Sequence, residues 1–162
     1  MKRKLKDSLN YYAKQDKTAV VKTREPFLKD NLKNMAYNLT KQVNYSFAEA
    51  LEKVKAELGK EGFGVISEID LKDKFKEKLD IEFREYRILG ACNPKLAHQA
   101  IEQEHRIGVL LPCNVLVQEH DTGQVEVTAV NPMETMASVK NSKLESVANE
   151  VSEKLKKVIA SI

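Results

Sequence analysis

The sequence predicts an α+β domain, a mostly antiparallel sheet with helices packed on it. Three observations carry that prediction. Apolar residues recur at strand spacing and then at helix spacing, in the order β-α-β-α-β-α-β-β-α. Two strand-like runs, Val109 to Glu119 and Val125 to Val130, flank Asp121-Thr122-Gly123, a hairpin turn with glycine where a positive φ is needed. Near the C-terminus, Leu144, Ala148, Val151, Leu155, Val158 and Ile162 follow one another at spacings of 4, 3, 4, 3 and 4. That is one face of a helix, widened by Val147 and Ile159, and it suits packing on a sheet.

Each element has its own warrant. Ala36 to Val43 alternates polar and apolar weakly, as a first strand does. Ser46 with Glu49 is a capping box, and Phe47, Leu51, Val54 and Leu58 form one apolar helical face behind it. Gly59 or Gly62 ends that helix. Phe63 to Ile69 is a second strand, Asp70 to Lys78 a short charged helix, and Phe83 to Ala91 a third strand. Asn93 caps a helix that starts on Pro94, runs to about Arg106 and closes at Gly108. Pro112 removes a hydrogen-bond donor from the run that follows, which predicts an edge strand or a local bulge there. Asn131-Pro132 repeats the Asn-Pro helix start, with a short turn to Ala137 or Ser138, and the last helix begins near Lys143.

Charge divides the chain in two. Residues 1–34 hold ten Lys or Arg against four Asp or Glu, a net +6, while the whole chain is +3, so the rest carries −3. The expected organisation is a basic N-terminal arm over 1–34, partly disordered or helical, and an α+β domain over 35–162. A basic arm suits nucleic acid or an anionic surface, but no Gly-rich or Arg-rich code accompanies it, and a solvated tail is the preferred reading. No apolar run approaches a membrane span of roughly 20 residues. Asp7, Asn10, Lys14 and Asp16 interrupt any signal-peptide core, so a cytoplasmic protein is expected. The two cysteines, 21 positions apart, fit no common zinc spacing and are expected as free thiols.

Those cysteines mark the candidate site. Cys92 precedes the helix start at Asn93-Pro94, where free N–H groups stabilise a thiolate, and Asn93 is placed to orient a bound anion. Cys113 follows Pro112, where a bulge would redirect its side chain, and Asn114 would offer an amide to a ligand. Packing is the preferred role for each thiol alone. Close together, they would suit redox exchange or soft-metal capture, although two cysteines are an incomplete metal site. His98, Glu102 and His105 share a helical spacing but read as a solvated face, and Met133 and Met136 as packing. No metal site and no cofactor is assigned.

Taken with Ser46-Phe47, Ala50, Gly62-Phe63-Gly64-Val65, Ile69-Asp70 and Asn131-Pro132, the stretches Ile88-Leu89-Gly90-Ala91-Cys92-Asn93-Pro94 and Gly108-Val109-Leu110-Leu111-Pro112-Cys113-Asn114 carry a likeness. From Met35 to Ile162 the chain resembles the domain of unknown function 302 family. The resemblance implies a compact α+β domain of TBP-like arrangement, assembled as a homodimer, with no established reaction, substrate or cofactor. The expected function is therefore a homodimeric small-molecule-binding or scaffold domain, with Cys92, Asn93, Cys113 and Asn114 as the candidate ligand contacts. No general base or triad can be assembled near either cysteine, which argues against an enzyme. A thiol-dependent redox or sulfur-handling protein using Cys92 and Cys113 is the first alternative. A nucleic-acid-associated protein acting through residues 1–34 is the second.

Overall fold

A computed structural model of the chain describes residues 37–162. The arm expected over residues 1–34 and the expected strand start at Ala36 lie outside them. Five strands form one antiparallel sheet: β1 (Asn38–Val43), β2 (Gly64–Asp70), β3 (Tyr86–Cys92), β4 (Cys113–Glu119) and β5 (Val125–Val130), in the order β1-β5-β4-β3-β2. Between and after them lie the helices α1 (Phe47–Lys60), α2 (Leu71–Leu79), α3 (Pro94–Gln103), α4 (Pro132–Ala137) and α5 (Glu145–Ser161), the last two following β5. Single 3₁₀ turns occupy Ile107–Leu110 and Ser142–Leu144.

Alternation along the strands decides what is covered. Leu89 and Ala91 of β3, Val115 and Val117 of β4, and Val127 and Ala129 of β5 are wholly buried on one face of the sheet. α1 brings Ala50, Leu51, Val54 and Leu58 to that face, and α5 brings Val151, Leu155, Val158 and Ile159. Each such Val, Leu or Ile side chain contributes about 1.5–3 kcal/mol by leaving water. The margin at β2 is closed by ions: Lys55 meets Glu68 at 3.1 Å, and Arg87 bridges Glu68 at 2.7 Å and Asp70 at 2.6 Å.

Among the described residues, no helix covers the other face in this way. Arg84 donates to Gln118 Oε1 at 2.9 Å, Gln118 Nε2 to Glu126 Oε1 at 2.9 Å, and Thr128 Oγ1 to Glu126 Oε1 at 3.3 Å. Thr128 Oγ1 also meets Thr40 Oγ1 at 3.0 Å. Ile69, Ile88 and Leu116 lie in one cross-strand row beside this polar chain.

The expected capping box is present, with Glu49 N donating to Ser46 Oγ and Ser46 N to Glu49 Oε2. Gly62 follows α1 with φ +82°, a conformation that glycine adopts without strain. Three expectations need correction. The fourth strand starts at Cys113, not Val109, because residues 107–110 wind into a 3₁₀ turn before the donor-less Pro112. It is central in the sheet and regular, so Pro112 makes neither an edge nor a bulge; the bulge lies in β2, between Val65 and Ser67. The helix after Pro94 ends at Gln103, where Glu104 turns extended with φ −152°, and Gly108 lies in the 3₁₀ turn instead of closing the helix. The long stripe on α5 is consumed within the chain, since Ala148, Val151, Leu155, Val158 and Ile159 are all buried there.

Candidate functional site

β3 and β4 bring the two cysteine motifs together. Ala91 is the register partner of Cys113, and Cys92 follows it at the end of β3. Cys92, Asn93 and Cys113 border one small cavity of about 20 Å³, closed by Phe63, Leu96, Leu111, Met136 and Val151. Cys113 is buried and Cys92 half-buried, and both are free thiols. Burial, with a smaller contribution from Cys92 nearby, pushes the Cys113 thiol up to about 11. It therefore stays protonated at neutral pH and is a poor nucleophile there.

The start of α3 is already served. Pro94 has no N–H, and Leu96 N donates to Asn93 Oδ1 at 3.2 Å. The amide nitrogen of Asn93 lies against Gly62, where an added Cβ would come within 3.1 Å of it. The side chain of Asn93 is thus a cap wedged between two elements before it is anything else. Asn114 is apart from the other three: its register partner is Gly90, on the opposite side of the sheet from Ala91 and Cys113, and it is exposed there. Gly90 admits no side chain on that side, because a Cβ would lie 2.2 Å from Ser67 Oγ and 2.7 Å from Pro112 Cγ. His98, Glu102 and His105 are exposed, and His105 falls beyond the end of α3.

A larger concavity was not foreseen. Between α4 and the start of α5, a groove of about 370 Å³ is floored by Met133, Met136, Leu144 and Ala148. Ala137, Lys140, Asn141, Ser142 and Glu145 rim it. Asn141 is occupied structurally, donating to Gln103 O at 3.0 Å and accepting from Lys143 N at 3.1 Å. Lys140 holds a left-handed backbone, φ 57°, and makes no ion pair with a described residue. The sequence signal was the pair Met133 and Met136 at helical spacing on a six-residue helix, too short to bury two long apolar side chains alone. Among the described residues there is no group of three or more His, Cys, Asp or Glu placed to hold a metal, and no helix long and apolar enough to cross a membrane.

The family model for "Domain of unknown function DUF302" matches residues 39–162. No curated protein is detectably similar to the chain. A solved structure of an uncharacterised conserved DUF302 protein from Bacillus stearothermophilus shares the fold, with a TM-score of 0.72 and 24% identity, over 77% of this chain and 97% of that one.

Proposed function

Because the chain belongs to the domain of unknown function 302 family, which comes with no assigned reaction, we propose a binding role for it: a small-molecule-binding domain whose ligand sits in the groove between α4 and α5. The groove carries this reading. Its volume of about 370 Å³ lies in the range of small-molecule sites, roughly 300–1,000 Å³. Its apolar floor and Lys140, which has no ion pair among the described residues, suit an amphiphile with an apolar body and an anionic end. Methionine side chains adapt to such bodies without a fixed shape.

Anilinonaphthalene sulfonate has that chemistry and reports its own burial by fluorescence. The expected outcome is saturable binding of one probe per natively folded chain, abolished by Ala137→Trp, which fills the groove, and weakened by Lys140→Gln. A parent that binds no probe while unfolding cooperatively, or an Ala137→Trp variant that binds like the parent, overturns the reading.

The proposal keeps a homodimer in the cytoplasm, where both thiols stay reduced. The α5 stripe is buried within the chain and offers no surface for pairing; the support is the sheet face that no described helix covers in the same way, with Ile69, Ile88 and Leu116 in one row. Light scattering on the full chain is expected to give twice the chain mass, and one chain mass for Leu116→Arg. A monomeric parent at about ten micromolar and above, a range in which ordinary dimers persist, removes the dimer from the proposal.

A further inference from the structure

We propose that Cys92, Cys113 and Met136 bind a copper(I) ion in the small cavity they border. This goes beyond the groove reading and concerns the smaller cavity, which shares Met136 with the groove. The donor set is the first observation. The residues around the cavity are apolar apart from the sulfur-bearing Cys92, Cys113 and Met136 and from Asn93, whose carboxamide oxygen already accepts from Leu96 N. Two cysteines read from the sequence are an incomplete site; the fold supplies a third sulfur from α4, 23 positions beyond Cys113 in the chain.

The chemistry of that set is selective. Thiolate and thioether sulfur favour soft, monovalent copper, whereas a structural zinc site needs four nitrogen, sulfur or carboxylate donors. The size agrees. About 20 Å³ is room for one ion with at most a single water beside it, since a water needs roughly 10–15 Å³. The surroundings agree as well: Phe63, Leu96 and Val151 are buried and keep water from the ion. Cys92, half-buried, provides the way in. On binding, copper(I) replaces the two thiol protons, which pass to solvent, and no electron moves.

The test uses the full chain, reduced, without oxygen, against the coloured copper(I)–bicinchoninate complex. One copper(I) per chain is expected to leave the chelator. Cys92→Ser is expected to abolish this, and Met136→Leu, similar in volume but without sulfur, to weaken it by tenfold or more. Ala137→Trp, which fills the neighbouring groove, is expected to leave it unchanged. Copper that stays on the chelator, or undiminished uptake by Cys92→Ser or Met136→Leu, overturns the proposal, as does loss of uptake in a folded Ala137→Trp variant. Should a cavity variant fail to fold, copper-edge X-ray absorption of the loaded parent decides: three sulfur neighbours support the site, and nitrogen or oxygen neighbours overturn it.

Discussion

Two corners of the molecule are built from the same local device and used differently. Cys92-Asn93-Pro94 ends β3 and starts α3; Val130-Asn131-Pro132 ends β5 and starts α4. The backbones nearly coincide, with φ −96° and ψ 107° at Asn93 and φ −100° and ψ 102° at Asn131. Both asparagines cap their helix and both prolines stand at its first turn, where a missing N–H does no harm. The surroundings separate them. Asn93 Oδ1 serves only its own helix, at Leu96 N, among the hydrogen bonds described for it. Asn131 Oδ1 accepts from Met133 N at 3.3 Å and also from Ser152 Oγ of α5 at 2.9 Å. Ser152 has no exposed surface, so that second bond satisfies a buried hydroxyl and ties two helices together. A three-residue motif fixes the corner; residues far along the chain fix what the corner holds.

The sharpest way to break the comparison is at Asn131. Asn131→Ala removes the cap and leaves the Ser152 hydroxyl buried without its partner, a combined loss of about 2–4 kcal/mol in urea unfolding. Asn131→Asp keeps both acceptors and is expected to lose far less. In the double variant with Ser152→Ala the losses are expected to be less than additive, because the hydroxyl left stranded is gone. Additive losses would mean that the two side chains do not act together.

pH probes the first corner, because only that one has a buried thiol beside it. Cys113 rises from an ordinary 9.0 to about 11 in the folded chain. A raised pKa on an acid stabilises while the folded thiol stays neutral. That contribution is whole below about pH 9 and is lost as pH climbs towards 11, as the unfolded chain ionises first. The loss is on the order of 2 kcal/mol. Urea unfolding at pH 8 and pH 10.5 is expected to show a steeper fall for the parent than for Cys113→Ala. Parallel falls would place Cys113 in contact with water.

The smallest effect belongs to Asn93. Asn93→Ala removes one cap and strands no buried partner, so about 1 kcal/mol is expected, at most half the loss at Asn131. Equal losses would show that the wedge between Asn93 and Gly62 matters as much as the tether to Ser152.

Local chemistry made much of this legible. Ser46 with Glu49, both Asn-Pro starts and Gly123 are devices whose residues are neighbours, and the apolar stripes named the buried faces of α1 and α5. Long-range placement was not legible. Nothing near Cys113 announces Met136, and nothing near Asn131 announces Ser152. Pro112 was read as interrupting a strand, whereas the strand starts after it, since a missing donor is equally consistent with both. One feature was readable and was missed: on any regular strand, Cys113 and Asn114 point to opposite faces of the sheet.

The irregularity in β2 has a consequence for growth of the sheet. Val65 pairs with Ala91 and Ser67 with Gly90, so Ile66 is the extra residue, left without a partner on β3 and largely exposed. A bulge on an outermost strand twists it and breaks the row of free N–H and C=O groups that another strand would need as a template. At the opposite border, β1 carries Lys41, whose ammonium is bound to the carbonyls of Ala160 and Ile162 at 2.8 and 2.6 Å. One end of the sheet is thus irregular and the other bears a charge. Among the described residues, neither border is a flat, uncharged ribbon of the kind on which copies stack edge to edge.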